Sequence, residues 1–72
     1  HNDFFKKLDA QFPQLTHKDK MLCAYIKMNL MSKEIAPLLN ISVRGVEISR
    51  YRLRKKLNLD EKANLAEFLQ KI

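Results

Sequence analysis

The sequence predicts an all-α fold: a four-helix helix-turn-helix domain preceded by one extra N-terminal helix. Three observations lead there. Strand signals are weak, since the 72 residues hold one glycine, few β-branched runs and no two-residue hairpin turn. Helix-start residues recur at Asp3, Thr16, Ser32, Ser42 and Asn64, each followed by apolar residues at three- and four-residue spacing. Two of these segments are separated only by a short break after Leu39, and the second is the longer and more basic.

The first helix is expected from Asp3 to about residue 11, with Phe4, Phe5, Leu8 and Phe12 on its apolar side and Pro13 as its stop. Thr16 caps the second, with Asp19 in the first turn where the helix dipole favours an anion. Leu22, Cys23 and Ile26 recur there at core spacing, and the helix ends within 28–30. Ser32 is expected to cap a third helix over 33–39, with Ile35, Leu38 and Leu39 apolar. Pro37 removes the N–H that would reach the Lys33 carbonyl and predicts a distorted turn or a slight kink. Asn40-Ile41 forms a tight break, and Ser42 opens the longest helix, 43–57, which Asn58 stops. After a polar link, Asn64 with Glu67 has capping-box spacing for a last helix over 65–71, whose apolar stripe is Leu65, Phe68, Leu69 and Ile72.

Charge is concentrated in one place. All four arginines lie within 44–54, and the window 44–56 sets six cations against Glu47, so it carries +5 of the formal net charge of +6. Local basicity of this kind marks a binding face for a polyanion. At about 100° per residue, Val46, Leu53 and Leu57 form the core edge of helix 43–57. Arg44, Ile48, Tyr51 and Lys55 lie opposite, Glu47 and Arg52 flank them, and Ser49 and Arg50 border the core side. Outward Ile48 and Tyr51 between cations suit a DNA major groove: an aliphatic group meets a thymine methyl, a phenol bonds a base or phosphate, and cations pair with phosphate or guanine. A protein surface that covers Ile48 and Tyr51 is the alternative left open. Lys33, at the start of the preceding helix, is placed for a phosphate.

Composition excludes other classes. One cysteine forms no internal disulfide, and one cysteine with two separated histidines makes no zinc site. Cys23 reads as a small core residue, and a free thiol favours a reducing compartment. No apolar run approaches the roughly 20 residues of a membrane span. No phosphate loop or Ser/His/Asp or Cys/His constellation has enzymatic spacing, so no enzyme and no cofactor is expected. A chain of this length is one domain at most. It begins with His1 rather than methionine, and the expectation is a fragment of a larger protein, with 1–14 an N-terminal helix and linker and 15–72 the helix-turn-helix domain.

Several blocks resemble one family. Leu15-Thr16-His17-Lys18-Asp19, Ser32-Lys33-Glu34-Ile35-Ala36, Leu39-Asn40-Ile41-Ser42, Gly45-Val46 and Arg54-Lys55-Lys56-Leu57 are similar to the LuxR/NarL-type (GerE-like) helix-turn-helix output domain of bacterial transcription regulators. The resemblance covers 15–72. The stretch from Ile41 through Leu57 is most similar to output domains of large sensor-regulators with a propeller-like sensor.

The resemblance implies sequence-specific binding to double-stranded DNA, with helix 43–57 in the major groove. It puts base reading on Glu47, Ile48 and Tyr51, and phosphate contacts near Lys33, Gly45 and the basic end of the helix at Lys55 and Lys56; Ser42, Arg44 and Arg52, the last a flank suited to phosphate on the helix wheel, complete the candidate DNA-binding set. It also implies homodimerisation through Leu65, Phe68 and Leu69, possible contact with RNA polymerase, no small-molecule ligand in this segment, and a cytoplasmic location even where the full-length protein is membrane-anchored. Three residues depart from the family pattern. Glu47 stands where lysine is usual, and an anion there repels phosphate unless it accepts from cytosine N4 or orients Arg44. Arg50 replaces an apolar residue and is expected to pair with a carboxylate such as Asp19 or to lay its stem on the core. Gly45 replaces threonine and loses a hydroxyl contact. The rival readings are a helical protein-interaction module using Phe4, Phe5, Ile48 and Tyr51, and a σ-factor-like promoter reader within RNA polymerase.

Overall fold

The computed structural model describes residues 3–72, so His1 and what it implies about the chain's origin lie outside the described residues. Five helices follow in order: α1 (Asp3–Gln11), α2 (His17–Lys27), α3 (Ser32–Leu39), α4 (Val43–Lys56) and α5 (Leu65–Gln70). No strand occurs among the described residues. α3 packs chiefly on α4, and α2 packs on α5 while also touching α3 and α4.

The ends of the helices follow from side-chain chemistry. At α2, the Asp19 N–H donates to Thr16 Oγ1 (3.1 Å) and the Thr16 N–H donates to Asp19 Oδ2 (2.9 Å), a reciprocal capping box. Ser42 Oγ accepts from the Gly45 N–H at 2.9 Å, and Asn64 Oδ1 accepts from the Glu67 N–H at 2.9 Å. Three helices are followed by an asparagine with positive φ: Asn29 (64°), Asn40 (57°) and Asn58 (59°). Asparagine tolerates the left-handed region where most side chains do not, so three turns are made without glycine.

α3 begins one residue earlier than the sequence suggests. Met31 occupies the N-cap, its N–H donates to Glu34 Oε1 at 2.7 Å, and Ser32 is the first helical residue. The carboxylate of Glu34 satisfies the exposed backbone donor, and the Ser32 hydroxyl is left for another partner. The helix runs through Pro37 and ends two residues later. Leu38, expected on the apolar side, is exposed. Ile35, Ala36 and Leu39 centre the buried stripe, and Leu38 falls more than a quarter-turn from that centre.

The core draws on every helix. Leu8, Leu22, Cys23, Ile26, Ile35, Val46, Leu53, Leu65 and Leu69 are almost wholly buried, and among the described residues no polar or charged residue is buried. α1 belongs to this core. The N-terminal segment, expected as a helix and linker, buries Phe4 and Leu8, an i and i+4 stripe, in the same cluster. Phe12 stacks edge-on against Phe68 (6.1 Å between centroids), Lys27 Nζ lies 5.0 Å from the Phe4 ring centroid, and Lys20 bridges to Asp9 at 2.9 Å. Lys27 Nζ also donates to the Leu69 carbonyl (3.1 Å) at the end of α5, where a cation meets the negative pole of the helix. Gln70 Nε2 returns a hydrogen bond to the Lys27 carbonyl.

Cys23 fills the core as a small apolar residue. Burial, aided by the nearby Asp19 carboxylate, pushes its thiol up to about 12. Native protein is therefore expected to leave Cys23 unmodified by a thiol reagent at pH 8 over the time in which the urea-unfolded chain reacts completely. Rapid native labelling would contradict its burial.

Candidate nucleic-acid interface

α4 has the two faces its sequence implies. Val46, Leu53 and Leu57 are inside, whereas Ile48 and Tyr51 are 43% and 55% exposed. Arg44, Arg52 and Lys55 are exposed with them, and Arg50 and Ser49 are half-buried at the border. Lys55 Nζ lies 4.7 Å from the Tyr51 ring centroid, so cation and ring form one unit on the outer face. In the last turn of the helix only Lys55 continues the face. Leu57 returns to the core, and Arg54 turns to the link before α5, donating from Nη1 to the carbonyls of Ala63 and Asp60.

One cation expected at the DNA takes another role. Lys56 Nζ bridges to Asp19 Oδ2 at 2.6 Å and is half-buried. Asp19 therefore pairs with Lys56, not with Arg50: a lysine at the end of α4 reaches the first turn of α2, where the capping box already orients the carboxylate. Burial alone raises the Asp19 pKa, but hydrogen bonds from Lys56 and from the Thr16 backbone and hydroxyl outweigh it, and the group titrates below its ordinary value of 3.8. Gln14 Nε2 adds a hydrogen bond to the Lys56 carbonyl at 3.1 Å.

A pH dependence follows. The folded-state pKa is depressed, so this stabilisation is present in full above the ordinary carboxylate range and is lost as the pH falls through the folded value. Asp19→Asn is expected to cost about 1 kcal/mol at pH 7. In urea melts the difference from wild type should shrink steadily below pH 4. A difference that stays constant into strong acid would mean that the pair does not supply it.

The structure brings the remaining site residues together around α4. A shallow groove between the first turn of α2, the turn after α3, and α4 is lined by Lys18, Ile41, Gly45, Ile48 and Arg52, among others. Gly45 is half-buried there. A Cβ at this position meets Ser42 Oγ at 3.3 Å and Ile41 side-chain carbons at 3.5 Å, so a larger residue requires the cap to give slightly. Lys18 was not singled out from the sequence. Its signal, a cation in the first turn of α2, acquires meaning only when the fold sets it across the groove from Arg52. Lys33 is exposed at the first turn of α3. Beside it, the Ser32 hydroxyl donates to Glu47 Oε2 and ties α3 to α4 across the helix-turn-helix.

The α5 stripe lies elsewhere. Leu65 and Leu69 are buried against the chain's own core and Phe68 is half-buried against Phe12. The dimerisation expected of Leu65 and Leu69 is thus revised: their apolar surface is consumed within the chain. The side of α5 that remains exposed carries Glu67 and Gln70, followed by Lys71.

Residues 13–69 match the profile describing bacterial regulatory proteins of the luxR family. The chain is 34% identical over 61 residues to the tetrathionate response regulatory protein TtrR of Salmonella typhimurium (strain LT2), a match covering 85% of this chain and 30% of that protein. The chain thus spans less than a third of the length of this curated relative. No solved structure matches the chain. Among the described residues, no group of three or more His, Cys, Asp or Glu side chains is placed to hold a metal, and no helix is long and apolar enough to cross a membrane.

Proposed function

The chain belongs to the luxR family of bacterial regulatory proteins, and from that premise we propose that it binds specific double-stranded DNA with α4 lying in the major groove. One observation carries the reading: α4 holds Val46 and Leu53 in the core while it presents Arg44, Ile48, Tyr51 and Lys55 on the opposite side. A helix fits a major groove about 12 Å wide, and an exposed isoleucine and tyrosine framed by cations supply apolar and hydrogen-bonding contacts to base edges. Lys18, Lys33 and Arg52 neutralise phosphates on either side of that face. Lys56 and Arg54, both half-buried, act within the chain's own contacts, where they hold α2 and the link to α5 against α4. Residues 15–72 are the DNA-binding unit, and α1 is the rigid helix through which an upstream region would join it.

Two copies bind two half-sites. Leu65 and Leu69 stay in the core of each, so the copies meet through the exposed side of α5 or through the DNA alone.

Fluorescence anisotropy against promoter fragments and random duplex, at several salt concentrations, tests the reading. A specific site should bind at least tenfold more tightly than random duplex, and affinity should fall linearly with the logarithm of salt. Binding indifferent to both salt and sequence would sink it.

A further inference from the structure

Glu47 is the one carboxylate on α4, and it stands on a flank of the face proposed to meet a polyanion. An anion there is unfavourable unless it finds a donor. Two donors are available within the chain, Arg44 one turn earlier on α4 and Ser32 at the start of α3. The structure separates them. Among the described residues the ion pairs are Lys20–Asp9 and Lys56–Asp19, so Arg44 does not hold Glu47. Ser32 does, through its hydroxyl to Oε2. The bond exists because Met31 rather than Ser32 caps α3, leaving the hydroxyl to cross to α4.

We propose that Glu47 is a base-reading residue selective for the exocyclic amine of cytosine, and that Ser32 is its positioning residue. The inference rests on the DNA-binding reading above and deepens it. A carboxylate only accepts hydrogen bonds and has about four lone-pair directions. Ser32 occupies one of these on Oε2, and the exposed remainder has no hydrogen-bond or ion-pair partner among the described residues. In the major groove the complementary groups are the amines of cytosine and adenine. Adenine sets its N7 acceptor beside the amine, where it repels an anion. Cytosine sets a C–H there, so cytosine is the better ligand. Guanine and thymine present acceptors and are rejected. Because the serine belongs to a different helix, its bond fixes the carboxylate against rotation before DNA arrives. The ordering of that side chain is then a property of the fold rather than a cost of binding.

Selection of bound sequences from a random duplex pool tests this with the full chain, its Glu47→Gln, Ser32→Ala and Ser32→Thr variants, and circular dichroism to verify that each is folded. Wild type should enrich a consensus with one cytosine position per half-site, preferred by roughly tenfold. Glu47→Gln should move that position to adenine, since an amide matches N6 and N7 together. Ser32→Ala should keep the cytosine but reduce its preference to about twofold, and Ser32→Thr should restore it, which a purely structural role for the serine does not predict. A wild-type chain that enriches no sequence would count against the DNA-binding reading itself. A wild-type consensus reproduced base for base by Glu47→Gln overturns the present inference alone. Undiminished cytosine preference in Ser32→Ala removes Ser32 from it.

Discussion

Replacing Arg44 and Lys55 together by glutamate is expected to lower affinity for duplex DNA by about a hundredfold or more at low salt and to flatten the salt dependence by about two units of slope. Both side chains are exposed on the side of α4 opposite Val46 and Leu53, so no core contact is removed. The fold does feel one of the two changes. Lys55 lies over the Tyr51 ring and in the last turn of α4, where it complements the helix dipole. Its reversal should cost about 1 kcal/mol of stability from these two sources. Binding must therefore be measured well below the melting temperature. The control is Lys6→Glu with Lys7→Glu, which alters net charge equally at exposed positions of α1 rather than on α4. A control that loses as much affinity as the test variant would show that overall charge governs binding. A large loss confined to the test variant identifies the face.

Leu8→Ala should destabilise the whole domain by about 3 kcal/mol, since it deletes a wholly buried leucine and a core this small relaxes only in part. For a domain of this size that corresponds to a drop of roughly 15 °C in melting temperature. The transition should remain single, because Leu8 shares its cluster with Leu22, Leu65 and Leu69. The Lys27 ammonium meets both the Phe4 ring and the carbonyl of Leu69, which ties α1 and α5 to the same residue of α2. Thermal melts followed by circular dichroism check this. A cost under about 1 kcal/mol, or an early melting of α1 alone, would make α1 a detachable appendage. The distinction bears on signalling. A helix that melts with the domain transmits the orientation of whatever precedes it, while a frayed one does not.

Much of the fold was legible in the sequence because its signals are local. The capping residues Thr16, Ser42 and Asn64 act within one turn, and Asn58 needs only its own backbone conformation. The wheel of α4 separated Val46, Leu53 and Leu57 from Ile48 and Tyr51 because one helix face is set by a fixed period. The same arithmetic placed Leu38 wrongly, since three apolar residues spaced i, i+3 and i+4 do not by themselves show where the stripe is centred. Ser32 misled for a related reason: serine and Glu34 both satisfy backbone donors at a helix start, and the carboxylate at the correct spacing from Met31 took that role.

The sequence by itself determined the helical class, the order of the elements, the basic helix and its two sides, and the family to which the chain belongs. Only the tertiary structure decided which charges are available to a partner. Lys56 and Arg54 look like Arg52 and Lys55 in the sequence, yet the first two are drawn inward by Asp19 and by the carbonyls of the Asp60–Ala63 turn. The burial of Leu65 and Leu69 and the hold of Ser32 on Glu47 were decided in the same way. The physical reason is separation along the chain. A cap or a helical stripe joins residues three or four apart, whereas Asp19 and Lys56 are 37 residues apart and Ser32 and Glu47 are 15. Such partners are specified only by how the helices pack.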